Sequence, residues 1–582
     1  MEQAKSFTRA FRSREAFKEL VKTDAADSPS NRWINNDLRP TPPGNENLSL
    51  QLPTTNNEYP EQRTWTWYHL PLFWSGLAFG TTGWNIASSL IAVGLQWKYA
   101  LAASLIGSAL AGVVVTVLAR AGARYHIGYP VFLRSVMGMY GSWLFVFLRL
   151  MTGLFWFGIQ TYSGASLIST CLLCMFGHRW RDLRNTLPES ADISTKQLIC
   201  FFVAWLLQVP FFFVHPSKIQ WFFTFKGIIM PIATFALFGW CMAEGSGIST
   251  IDNELTKSAD GVPLGWAIVA GINTIMGSLA SLIVTQPDLS RYCRKVSDAG
   301  WLQGFCVFIS KCLVFFLGLA ATASIQGVWG KAYWAIWDLL DAILDHYWTS
   351  GARCAVFLVS FAFYCSAIGS NIGTNTIAFG ADLTGIIPKY MTIVRGQVLC
   401  CVLGVLMVPW KILASAQAFV TFLGSMPIFF GPVAALMIVD YYWVRRGNLH
   451  TPSLFKGNKG DLYFFTKGFN SRGYIAWVSG FLFGLPGMIG KFHPTAVNEA
   501  AKNMYRMGWP LTFAVTSVIY AALVYLFPVP IYPETHANTP TTFEYLGKRD
   551  GFFEDDVDDD LVGIEGVEAV EDKAPVVSEE NF

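Results

Sequence analysis

Trp156 and Gln160 stand four apart in the apolar run LRLMTGLFWFGIQTYSGA, residues 148 to 165. On a helix those positions share one face, so an indole plane stands beside an amide that both donates and accepts hydrogen bonds. That pair suits a planar heterocycle. It also suits a Trp packed in a bundle with a Gln bonded to a neighbouring helix, since an amide without partners in hydrocarbon costs several kcal/mol. Asn371 and Asn375 repeat the four-residue spacing in a run rich in Gly, Ser and Thr, IGSNIGTNTIAFGADLTGIIPKY. Lipid does not favour such a surface, so these amides should point into protein. An aromatic plane with two carboxamides can sandwich and edge-read a neutral lactam or pyrimidine without burying charge. The histidines fall singly in connections with no metal-ligand spacing, and most of the 11 cysteines lie inside apolar runs. No metal site, cofactor or catalytic cluster of a membrane enzyme is expected.

The elements that carry these residues follow from composition. The 582 residues are 53% hydrophobic and only 14% charged, against about 25% charged in soluble domains. The chain is therefore expected to be an all-α polytopic membrane protein embedded in a lipid bilayer. Its net charge of +2 gives no general attraction to nucleic acid. Twelve apolar runs are long enough to cross about 30 Å of hydrocarbon, near 70–95, 99–119, 143–176, 198–214, 219–242, 264–286, 301–326, 354–378, 394–409, 416–440, 473–490 and 508–528.

Three regions follow: residues 1–69 as a largely disordered tail, 70–528 as a twelve-helix domain, and 529–582 as an acidic disordered tail. Ser6 to Lys22 mixes basic and apolar residues, as in a segment lying on an anionic membrane face or a solvated helix. An even span count puts both termini on one side. Arg120, Arg124, Arg134, Arg291, Arg294, Lys295, Arg445 and Arg446 fall on that side, which makes it cytosolic. The other face carries Asp252, Glu254, Asp260, Asp338, Asp341 and Asp345; Arg179, Arg181 and Arg184 run against the rule. The tails are where trafficking or ubiquitination machinery would act, with Lys548 and Lys573 as candidate sites.

Two spans carry glycine clusters at mid-depth. The first reads FWSGLAFGTTGWNIASSLIAVGL; the sixth reads WAIVAGINTIMGSLASLIV, with Gly271 and Gly277 flanking Asn273 and Thr274. Either cluster alone fits tight helix packing. In matching positions they predict two half-repeats whose broken helices offer backbone groups to substrate and ion, a transporter pattern. Among the intramembrane charges, Arg149 and Lys311 lie near helix ends and are expected to snorkel. Lys226 is open to either reading. Asp288 with Arg291 suits a gate pair or a stable loop, and Asp382 and Asp440 look interfacial.

The sequence TQPDLSRYCRK (285–295) resembles the NPDFSRY-type motif after the sixth helix of the nucleobase:cation symporter-1 family. RTWTWYHLPLFW, WNIASSLIAVGLQW, HPSKIQWFFTFKGIIMP and the Asn371/Asn375 run resemble its fungal Fur-type branch, over about residues 63–530. That resemblance implies a five-plus-five inverted repeat with broken helices 1 and 6 plus two extra helices. It also implies a plasma-membrane importer of a small substrate such as uracil, allantoin or uridine, coupled to protons in preference to sodium. Trp156 resembles the residue that stacks on the substrate ring, Gln160 its hydrogen-bonding partner, and Asn375 the amide that reads the ring edge. Asn85, Asn371, Ser278 and Leu279 complete the implied substrate shell. The cation position of sodium-coupled relatives falls on Thr81, Trp84, Ser366, Gly369 and Ser370, as a working site or a remnant.

Departures bear on the cargo. Leu279 stands where relatives have an aromatic or a Lys, and Gln286 replaces the usual Asn. The space at Leu279 admits a second cargo class, a vitamin such as thiamine or nicotinamide riboside. A sensor that keeps the fold without transport is the remaining alternative.

Overall fold

Without water, a run of about 20 apolar residues satisfies its backbone only by coiling on itself or closing a barrel. The chain coils. The computed structural model describes residues 63–212, 220–245, 262–531 and 543–546, with Trp33, Leu38, Pro40 and Thr41. Ser6 to Lys22, His215, Asp252, Glu254, Asp260, Lys548, Lys573 and most of both tails lie outside the described residues. Every regular element among those described is a helix.

Among the described residues, ten helices are long and apolar enough to cross a membrane. A first span broken in two (His69–Ala78 and Thr81–Ala92) and the shorter Ile393–Met407 accompany them, consistent with twelve spans. The others, in order, are Trp97–Tyr125, Ser142–Phe176, Thr195–Phe212, Gln220–Glu244, Leu264–Val284, Trp301–Trp329, Ser350–Ile386, Ala416–Ile438, Ser471–Phe492 and Gly508–Leu526. The second span packs on the sixth and seventh, the third on the fourth and eighth, and the tenth on the sixth and twelfth.

Lipid tails give no hydrophobic drive between helices, so close backbone approach and polar links hold the bundle. At the crossing of second and seventh spans, a methyl on Gly112 would lie 2.5 Å from the Gly304 carbonyl. Outward positions are apolar instead, as with Phe202, Leu206 and Leu207 on the fourth span and Ile475 and Leu482 on the eleventh.

The first span breaks where its glycines predict. Gly80 is fully extended and a new helix starts at Thr81. The expected break in the sixth span is absent: Leu264–Val284 is one uninterrupted helix. Gly277 there serves packing, since a methyl at that position would collide with the Leu423 carbonyl of the tenth span. The second irregular stretch lies in the eighth span, where Asn371–Thr376 winds as a π-helical turn. Such turns leave the regular bonding register and re-aim side chains.

One face gathers the basic residues. Arg120 and Arg124 bond Glu544, Arg291 bonds Thr41 at 2.8 Å, and Arg445 pairs with Asp440 at 2.7 Å. On the opposite face Arg181 pairs with Asp345, so one arginine that ran against the charge rule has a local counterion.

Candidate functional site

The break at Gly80, the π-helical turn, and the middle of the third and sixth spans converge on one chamber. Trp156, Gln160, Asn375, Ser278 and Leu279 all line it. Its free space, about 60 Å³ reachable by the centre of a water molecule, holds on the order of four waters, a displacement comparable to one small ring. The walls are mixed: Leu77, Trp156, Leu279, Leu282 and Phe379 supply apolar surface, and hydroxyls, amides and three charged side chains supply the rest.

The Gln160 and Asn375 amides are held by side chains on the two irregular stretches. Gln160 Nε2 donates to Thr82 Oγ1 at 2.9 Å, and Thr81 Oγ1 donates to Gln160 Oε1 at 3.5 Å. The amide therefore spans from the third helix to the first-span break. Asn375 Nδ2 donates to Asn371 Oδ1 at 2.9 Å, and Asn371 Nδ2 donates to Gln208 Oε1 at 2.7 Å. Asn371 thus lies behind Asn375, fully buried, and tethers it to the fourth span. The Trp156 ring meets Phe422 edge-on at 6.0 Å, which fixes the indole plane.

Asn85 stands apart from the chamber lining. Its Oδ1 accepts from the Ile336 backbone N–H at 3.0 Å, holding the start of the short helix Ile336–His346. The five residues of the implied cation position divide. Thr81 and Ser370 line the chamber, Ser366 Oγ donates to the Phe79 carbonyl at 3.2 Å, and Trp84 is buried in the core. Lys226 Nζ donates to Ser370 Oγ at 2.7 Å, and its stem packs where a methyl on Gly369 would come within 3.1 Å. A tethered ammonium thus occupies this region.

Three chamber charges were expected elsewhere. Arg149 is 3% exposed and ends the chamber toward the basic face. Its Nε donates to Asp382 Oδ2 at 2.7 Å and its Nη2 to Asp382 Oδ1. Its Nη1 reaches Asp288 Oδ2 at 2.5 Å and Thr285 Oγ1 at 3.3 Å, and the guanidinium lies 3.9 Å from the Tyr129 ring centre. Arg149 therefore does not snorkel, and Asp382, 1% exposed, is not interfacial. Asp440 is likewise buried, between Arg445 and the Tyr520 hydroxyl. Lys311 also lines the chamber. Spacing carried the missed signal: Arg149 lies seven residues before Trp156 and Asp382 seven after Asn375, two turns along the same helix faces.

Comparison with known proteins agrees with this architecture. Residues 58–512 match the family model described as permease for cytosine/purines, uracil, thiamine, allantoin. The allantoin permease of Saccharomyces cerevisiae is 31% identical over 82% of this chain and 76% of its own length. The uracil permease of the same yeast is 29% identical over 81% and 75%. In fold, the chain is similar to Mhp1, a nucleobase-cation-symport-1 family transporter captured closed with bromovinylhydantoin bound, at a TM-score of 0.60 and 18% identity over 81% of this chain and 95% of that one. The chain belongs to this nucleobase:cation symporter-1 family of permeases and is a transporter of nucleobase-related compounds, not an enzyme.

Proposed function

We propose that this chain is a proton-coupled secondary transporter that imports a small neutral heterocycle of the uracil, allantoin or uridine kind across the plasma membrane, with both termini cytosolic. The reading rests on one observation above all: the Trp156 indole and the Gln160 and Asn375 amides line one chamber. An indole face offers sequence-tolerant stacking to a ring, and amides offer donors and acceptors to its edge. The ion cluster of Arg149, Asp382 and Asp288 closes the end toward the basic face. Its opening would release cargo inward. Protons are favoured over sodium because the Lys226 ammonium already bonds the Ser370 hydroxyl that a coupling cation would need.

Uptake of radiolabelled uracil, allantoin and uridine in a transport-deficient host tests this reading. Trp156→Ala and Asn375→Ala should abolish uptake with surface expression intact, and a protonophore should collapse uptake by the unmodified chain. Normal transport by both variants would refute the site. Indifference to pH and sodium alike would mark a facilitator.

A further inference from the structure

Lys311 lies ten residues into the helix Trp301–Trp329, about 15 Å along its axis at 1.5 Å per residue. The 29-residue helix is about 43 Å long, more than a ~30 Å hydrocarbon layer, so it is burial inside the bundle that keeps this lysine from snorkelling. The residue is 4% exposed and lines the chamber beside Leu77, Gly80, Thr81, Ser278, Leu279 and Leu282. Among the described residues it has no hydrogen-bond or ion-pair partner; its Nζ stands 5.5 Å from the Phe315 ring centre. The other chamber cation differs. Arg149 carries two carboxylates and a hydroxyl, and both carboxylates are turned onto it. Each amide has given one of its two N–H groups, Gln160 to Thr82 and Asn375 to Asn371, and is neutral. The strongest uncommitted donor facing the chamber is therefore an ammonium, with three N–H groups and no acceptor.

Resting on the transport reading above, we propose that Lys311 sets the charge class of the cargo, donating to a carbonyl or anionic oxygen of the bound ring and excluding rings that carry a permanent positive charge. Sequence placed the bulk or charge of relatives at residue 279, where this chain has Leu. Here the seventh helix delivers a charge to the chamber that Leu279 also lines. A lactam oxygen gains a charge-assisted bond, worth a ~10- to 100-fold change in affinity. A fixed cation about 5 Å from the ammonium is disfavoured ~100-fold or more at an effective dielectric near 20. Thiamine, a thiazolium, and nicotinamide riboside, a pyridinium, are such cations. Uracil, allantoin and uridine are neutral and rich in carbonyl oxygens.

Initial uptake rates of those five compounds by the full chain, normalised to surface level, test the inference. The unmodified chain should carry at least one neutral compound and neither cation, and excess thiamine should not compete. Lys311→Gln should raise the KM of the carried compound ~10-fold and let thiamine compete, while Lys311→Arg keeps the exclusion. Uptake of thiamine or nicotinamide riboside by the unmodified chain overturns the assignment of Lys311 and leaves the transport reading standing. So does an unchanged KM in Lys311→Gln with cations still excluded. If Lys311→Gln fails to reach the surface, thiamine competition against the unmodified chain decides alone. If none of the five compounds enters, the transport reading falls and the inference with it.

Discussion

Asp382→Asn probes the closed end of the chamber, because the substitution keeps shape and removes only charge and one acceptor. In the native cluster Asp382 takes two bonds from Arg149, at Nε and Nη2, while Asp288 and Thr285 take the remaining Nη1 contacts. An Asn amide presents one acceptor and turns an N–H₂ toward the guanidinium. Breaking a buried pair by removing one partner costs about 3–5 kcal/mol. Asp288 still neutralises Arg149 at 2.5 Å, so the lower figure, about 3 kcal/mol, applies. The cluster joins the third span, the eighth span and the segment after the sixth, so the cost falls on the conformation in which they meet. If the open conformation lacks these bonds, the equilibrium moves toward it by up to ~150-fold. Ser281→Cys places a thiol in the chamber wall. Its alkylation in purified full-length protein should speed up at least ~10-fold when Asp382→Asn is added, with net uptake reduced. The reasoning is refuted if the double variant melts at the parental temperature and alkylates at the parental rate.

Three further outcomes follow from other contacts. Asn85→Ala strips the Ile336 N–H of its acceptor and should lower stability by about 1–3 kcal/mol while changing the KM of the carried compound less than about twofold; a tenfold KM rise would instead put Asn85 in the substrate shell. Burial opposes charge on Glu544, but bonds from Arg120 and Tyr441 overcome it and hold the carboxylate below its usual range. Glu544→Gln should release the segment 543–546 from the basic face by about 2 kcal/mol, a figure limited by the partial exposure of Arg120, read as faster limited proteolysis after residue 531. His126 is pushed down to about 3, first by burial and then by Arg63, so the folded chain keeps it neutral. The unfolded chain protonates it below about 6.5, so melting temperature should be full above that pH and decline as pH falls from about 6.5 toward 3, and His126→Gln should flatten that part of the profile.

Local chemistry was legible wherever one helix carried it. The Trp156–Gln160 and Asn371–Asn375 spacings gave shared faces, and the first-span break fell at its glycine cluster. What a single helix could not give was the identity of its neighbour. Gly277 reads the same whether it breaks a helix or admits the Leu423 carbonyl, and only the tenth span decides. Arg149 and Lys311 were read as snorkelling for the same reason. The alternatives turn on whether carboxylates some 140 and 230 residues later fold against the guanidinium, as Asp288 and Asp382 do. Asn85 has a polar side chain at the right depth, but Ile336 claims its oxygen from 251 residues away.

The hydrogen bonds within the chamber bear on selectivity. Gln160 and Asn375 each spend one N–H on a partner, Thr82 and Asn371, and keep a second N–H and a carbonyl lone pair for an arriving ring. Each bond formed there contributes modestly, about 0.5–1.5 kcal/mol net. A ring that displaces a partner without replacing it leaves a buried group unpaired at about 1–3 kcal/mol. Stacking on Trp156 is tolerant of ring identity, so it contributes affinity without choice. On the proposed site, discrimination among neutral rings would come from the mismatch penalty at the amides, which rejects rings lacking the correct edge far more strongly than it rewards those that have it, while Lys311 would sort rings by charge.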